Sequence, residues 1–309
     1  MTETAKHILA TFQYFDIFDY PLTKEEVHDF LWSCVPRSRG DIEKELEDLI
    51  VSGSLEKKYA FYFLLGRENI VEVRRSKDWI LEKKLKVARR AVKILRFVPY
   101  IRAVFLCNQF TVSTRDESDV DVVIVSAQKR IWVVRFFSIL LLALTRMRIQ
   151  KKQRRDKICL SFFVSVDDLN MSKLSIEEPD IYLIYWTKLL LPLFDPYDTQ
   201  KYFIKQNKKW IEKFLGRGLK LKDVPDVVKV FDNVFSRGVR NFFEKAWSGR
   251  YGDTVQYQLK EMQYKKIQAK GLELNDAEKK VIVNDGMLKF HENDRRLQYK
   301  KDWEQRCRT

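Results

Sequence analysis

Cysteine, histidine, proline and glycine are all scarce in this 309-residue chain, and each shortage excludes something. The four cysteines, Cys34, Cys107, Cys159 and Cys307, show no CxxC spacing, which argues against a zinc finger or a disulfide framework and predicts free thiols. His7, His28 and His291 are too dispersed for a histidine metal cluster. Seven prolines and ten glycines, beside 45% hydrophobic and 13% aromatic residues, leave no room for an extended disordered or low-complexity region. No signal-peptide pattern is present, so the expected compartment is cytoplasmic. Long apolar runs are also missing. The strongest candidate, residues 131–145, contains Arg135 and falls short of the ~20 residues a spanning helix needs, so it reads as a buried core helix. The basic run behind it leaves peripheral contact with anionic lipid open.

What is abundant is positive charge. Lysine and arginine outnumber the acids 58 to 43, a net charge of +15, which points to a polyanionic partner such as nucleic acid or a nucleotide, or else to a protein that is simply basic. A chain of this length accommodates two or three folding units. Residues 1–75 read as helices at 5–16, from Thr23, and from Asp41 to Gly53, followed by two short strands in SLEKKYAFYFLL. TKEE at Thr23 is a capping box. Three helices plus a β ribbon is the layout of a winged helix-turn-helix, a module that binds DNA in some proteins and docks protein in others. A basic helix over 76–97 leads into strands at 102–106, 120–126 and 157–165, with the 131–145 helix between the last two. These form a predicted central mixed-sheet unit over 76–170, and residues 171–309 read as mostly helical, with DIYLIYWTKLLLPLFD taken as one helical face. The predicted class is α+β.

Chemistry concentrates in residues 104–126, VFLCNQFTVSTRDESDVDVVIVS. Side chains on a strand alternate between faces, so Asp119 and Asp121 point the same way, about 7 Å apart along the strand. Asp119 alone would fit an ordinary loop-to-strand turn. Asp121 does not, because it interrupts a β-branched run that should be buried. Two such carboxylates repel unless a cation lies between them.

A strand, a small-residue turn, a spacer and then SDVDVVIV is similar to the motif of the DNA polymerase beta superfamily of nucleotidyltransferases. The resemblance implies that a turn at Cys107, Asn108 and Gln109 meets the triphosphate. It also implies that Asp119 and Asp121 hold magnesium in a two-metal site and act catalytically, and that Ser118 orients Asp119. The order FDYPLTKEEV, SDVDVVIVS, RIWVVRFF, DKICLSFFVS and LFDPYDTQKYFIKQNKKW also resembles a bacterial set of nucleotidyltransferase-like proteins with a winged-helix-like segment in front, over most of residues 15–215. The likeness extends toward VNDGMLKFHENDRR.

Two departures stand out. The Gly-Ser turn of the family is replaced around Cys107, Asn108 and Gln109, where a side chain hinders close approach of a phosphate. The third carboxylate is missing as well. On KICLSFFVS, the face opposite Ile158, Leu160, Phe162 and Val164 offers Cys159, Ser161 and Phe163, and Asp156 ahead of the strand is the remaining candidate ligand. The basic run 146–157 carries seven lysines or arginines and suits either phosphate binding or an exposed loop. The expected function is transfer of a nucleoside monophosphate from a magnesium-bound nucleoside triphosphate to a hydroxyl acceptor. The alternative is a degenerate transferase fold acting in nucleic-acid binding or regulation, and a protein partner is a third option.

Overall fold

The computed structural model describes residues 1–107, 115–149, 153–222 and 224–308. Its first helix, α1 (Glu3–Asp16), is opened by Thr2, whose hydroxyl accepts the Ala5 amide at 3.0 Å. After β1 (Leu22–Thr23), the capping box of Thr23 and Glu26 starts α2 (Lys24–Phe30), as its sequence predicts. Ser38 caps α3 (Arg39–Val51), and Gly53 takes the left-handed φ of 73° that follows its end. The hairpin β2 (Leu55–Lys58) and β3 (Phe61–Leu64) pairs with β1 in the order β1-β3-β2.

The basic helix α4 (Asn69–Leu95) begins at Asn69 rather than near 76. Its first turn buries Ile70 and Val71 against Phe63, and polar contacts fix the next. The Arg74 guanidinium pairs with both oxygens of Glu26 at 2.7 and 2.8 Å and lies 4.0 Å over the Tyr20 ring.

A second sheet gathers strands from most of the remaining chain: β4 (Ile101–Leu106), β5 (Val120–Ser126), β6 (Ile158–Ser165), β7 (Leu191–Phe194), β8 (Val281–Val283) and β9 (Met287–Phe290). Their order is β7-β4-β5-β6-β9-β8. Only β5 and β6 run parallel, and α5 (Ile131–Leu144) lies between them in sequence; the sheet is therefore mixed, as expected. Helices α6 (Ile181–Lys188), α7 (Thr199–Glu212), α8 (Val234–Ala246), α9 (Gly249–Gln268) and α10 (Arg296–Arg308) complete the fold.

One sequence expectation needs correction here. DIYLIYWTKLLLPLFD is not one helix: α6 stops at Lys188 and Leu191–Phe194 joins the sheet as β7. Pro192 cannot extend a helix, but an outer strand that pairs on one side only tolerates it. The 171–309 region, expected to be mostly helical, adds a hairpin of β8 and β9 that folds about Asn284 to Gly286 and joins the sheet where β9 pairs with β6.

The two sheet faces carry separate cores. Ala103, Phe105, Val123 and Val125 pack under α1, α6, α7 and α10, together with Phe15, Ile184, Phe203 and Trp303. Val104, Leu106, Val122 and Ile124 pack under α4, α5 and α9, together with Val92, Trp132 and Ile267. Helix α10 ties the first layer shut: Trp303 Nε1 donates to the Ala10 carbonyl at 2.9 Å, and Arg306 pairs with Asp16. No helix among the described residues is long and apolar enough to cross a membrane.

Candidate functional site

Strand β5 delivers Asp121, and the segment leading into it delivers Asp119. Odd positions on this strand share the α6 face, so both carboxylates point toward α6, as alternation requires. Parallel pairing sets Cys159 directly beside Asp121. One oxygen of each carboxylate and the Cys159 sulfur all lie within 4.8 Å of one another. On the other flank the Cys107 amide donates to the Asp121 carbonyl at 3.1 Å, so a thiol, a carboxylate and a thiol stand in one row across three strands.

A bulge in β6 decides what surrounds that row. Asp121 pairs with Cys159, but Val123 pairs with Phe162, so β6 spends three residues where β5 spends two. The shift moves Phe162 and Val164 onto the Asp121 face and leaves Ile158 and Phe163 on the other. The uninterrupted alternation read from KICLSFFVS is corrected accordingly. A single inserted residue exchanges faces for everything after it.

The loop ahead of Asp119 is held by a buried lysine. The Lys84 side chain is 0% exposed; its ammonium donates to the carbonyls of Asp116 (3.0 Å) and Ser118 and to the Asp156 carboxylate at 2.9 Å. Lys83 bridges Asp116 and Asp156 from the outside, at 2.7 and 2.9 Å. Burial opposes ionisation of Asp156, yet the hydrogen bonds from Lys83 and Lys84 outweigh it and hold its carboxyl below the usual range. Asp156 is therefore engaged by two cations, outside the three-atom cluster. The Ser118 hydroxyl donates to the Arg115 carbonyl at 2.8 Å, closing a turn rather than orienting Asp119. Cys107 is buried, and burial next to Asp121 and Cys159 pushes its thiol well up. Asn108 and Gln109 lie outside the described residues.

Beside the row opens a cavity of about 280 Å³ between β6, α6, β9 and α10. Tyr182 and Trp186 form its inner wall, and Tyr182 also borders the row through its electrostatic contact with Asp121. His291, on the opposite wall, stands 3.4 Å from the Ser161 hydroxyl. Burial, reinforced by Lys289 and Arg296 and only partly countered by Asp294, lowers the His291 pKa from 6.5 to about 4. The folded state thus resists a proton that the unfolded chain takes up below 6.5. Stability falls as pH drops from 6.5 to 4, by a contribution on the order of 3 kcal/mol. Urea titrations of the wild type and His291→Gln should show a shallower acid decline in the variant; equal declines contradict this.

Sequence reasoning missed Cys159, Lys84, Tyr182 and Trp186. Cys159 was visible on its strand but is no carboxylate. Lys84 sits on the buried stripe Lys84, Val87, Ala88, Ala91, Val92 and Leu95, the position that marks a lysine as something other than a solvated one.

No family model matches the chain, and neither a curated protein nor a solved structure gives a significant match.

Proposed function

We propose that the chain is a nucleotidyltransferase that moves a nucleoside monophosphate from a nucleoside triphosphate to a hydroxyl acceptor, with Asp119 and Asp121 as its working carboxylates. The observation that carries this reading is the convergence of both carboxylates on one face of a buried strand. In the reaction the acceptor oxygen forms a bond to the α-phosphorus, the bond to the bridging oxygen breaks, and pyrophosphate leaves.

The residues fit one divalent ion rather than a magnesium pair. Two carboxylate oxygens within 4.8 Å suit a single cation, and the third nearby donor is the Cys159 sulfur, which suits softer ions than magnesium. When bound, the ion would polarise the phosphoryl oxygens and neutralise charge that develops on them. Asp116 and Asp156 are both occupied by cations, so the acceptor's proton has Asp119 or Asp121 as its nearest carboxylate. Lys84 fixes the loop from which Asp119 projects.

The test is incubation with labelled nucleoside triphosphates and candidate hydroxyl acceptors in magnesium or manganese. Transfer is expected in wild type and absent in Asp119→Asn; equal signal from both removes the claim. Because of Cys159, manganese should outperform magnesium by on the order of tenfold, and Cys159→Asp should shift the preference toward magnesium. A magnesium preference already present in wild type would contradict a role for the sulfur.

The competing reading, a nucleic-acid-binding protein on a degenerate transferase fold, draws on the net charge and on the basic run 146–157. The third helix of the N-terminal unit does not support it. Between Arg39 and Val51, α3 carries Asp41, Glu43, Glu45, Glu47 and Asp48 against Arg39 and Lys44, a surface that repels phosphate.

A further inference from the structure

The cavity next to Asp121 has a composition that the row of thiols and carboxylate does not explain. Its volume of about 280 Å³ sits at the small end of ligand pockets, enough for one ring system with a sugar-sized substituent and too little for an oligomer. Flat aromatic surfaces frame it. Tyr182 and Tyr299 stack with centroids 5.4 Å apart at 19°, and Trp186 packs on Phe162 at 5.6 Å. Such faces hold planar heterocycles by stacking, irrespective of which base is presented.

The polar lining divides into groups that are already paired and groups that are not. Lys289 is paired with Asp294 at 3.0 Å, and Arg296 with Asp180 at 2.9 Å, so the charges on the floor are balanced. His291 keeps a buried Nδ1 with no hydrogen-bond partner. Arg295 is exposed at the rim and has no ion-pair partner among the described residues. An unmet ring nitrogen beside aromatic faces suits the hydrogen-bonding edge of a base. An unpaired guanidinium at the mouth suits a phosphate, which it can grip with two donors.

We propose that this cavity seats the base of a mononucleotide, stacked against Tyr182 and Tyr299, with Arg295 as a phosphate contact. The assignment rests on the transferase reading for the role of the nucleotide, while its chemistry comes from the cavity itself. Cations as ligands are disfavoured by Arg295, and purely apolar ones leave His291 unmet.

Binding without metal separates this proposal from the transfer reaction. In equilibrium dialysis with EDTA, the labelled 5′-monophosphates of adenosine, guanosine, cytidine and uridine are offered to the full chain. At least one should be retained. Tyr299→Ala should weaken retention by on the order of tenfold. Asn293→Trp, a change at an exposed rim residue that leaves the core untouched, should abolish it. Arg295→Ala should weaken the monophosphate but not the parent nucleoside. Retention of none of the four, or retention indifferent to Asn293→Trp, would overturn the assignment. Transfer by wild type that is lost in Asp119→Asn would still stand in that event, because that assay depends on the carboxylates and not on this cavity.

Discussion

Asparagine in place of Asp121 is expected to leave the apo protein as stable as wild type and to erase the stabilisation that a divalent ion confers. The carboxylate is only partly buried, and the change is nearly isosteric, so little packing is lost. It also removes a negative charge close to Asp119, which if anything favours the folded state. With manganese at about a hundred times its dissociation constant, wild type should gain about 2.7 kcal/mol, a shift in Tm of roughly 4 °C for a chain of this size. The variant should gain almost nothing, and transfer should fall by about 10³-fold, the effect of losing a charge aimed at the reacting group. Thermal melts with and without the ion check the first part. A variant that still shifts by the wild-type amount would show that the ion binds elsewhere.

Methionine in place of Lys84 is expected to do the opposite, damaging the fold first and the site through it. The side chain is completely buried, and its ammonium is the common partner of the Asp116 and Ser118 carbonyls and the Asp156 carboxylate. Methionine fills the volume but leaves those oxygens without a buried donor, which costs roughly 3–5 kcal/mol. That corresponds to a fall in Tm of roughly 5–8 °C. Lys83→Met provides the comparison. Lys83 touches Asp156 and Asp116 too, but its side chain is 33% exposed, so its loss should cost no more than about 1 kcal/mol. Equal losses from the two substitutions would contradict the role given to the buried ammonium.

Much of the frame was legible before any coordinates. The capping box at Thr23, the hairpin after Gly53 and the strand through SDVDVVIV are local patterns, and local patterns survive into the fold. The shared face of Asp119 and Asp121 follows from alternation on a strand, which needs no tertiary information. What stayed hidden depends on pairing. Cys159 joins the carboxylates because β6 lies parallel to β5 in one particular register, and the bulge that brings Phe162 round to the same face leaves no mark in KICLSFFVS. β7 was hidden inside an apolar segment whose first half is helical, with Pro192 as the only sign of the break. β8 and β9 are three and four residues long, too short for a period to show. The cavity is less visible still, since Tyr182, His291 and Tyr299 come from parts of the chain that only the sheet and α10 bring together.

The most direct test is to diffuse manganese and a non-hydrolysable nucleoside triphosphate into crystals of the protein and record anomalous scattering at the manganese edge. The account predicts an ion peak between the carboxylates of Asp119 and Asp121, with the nucleotide's phosphates reaching it. A peak confined to other positions, or nucleotide bound far from β5, would contradict it.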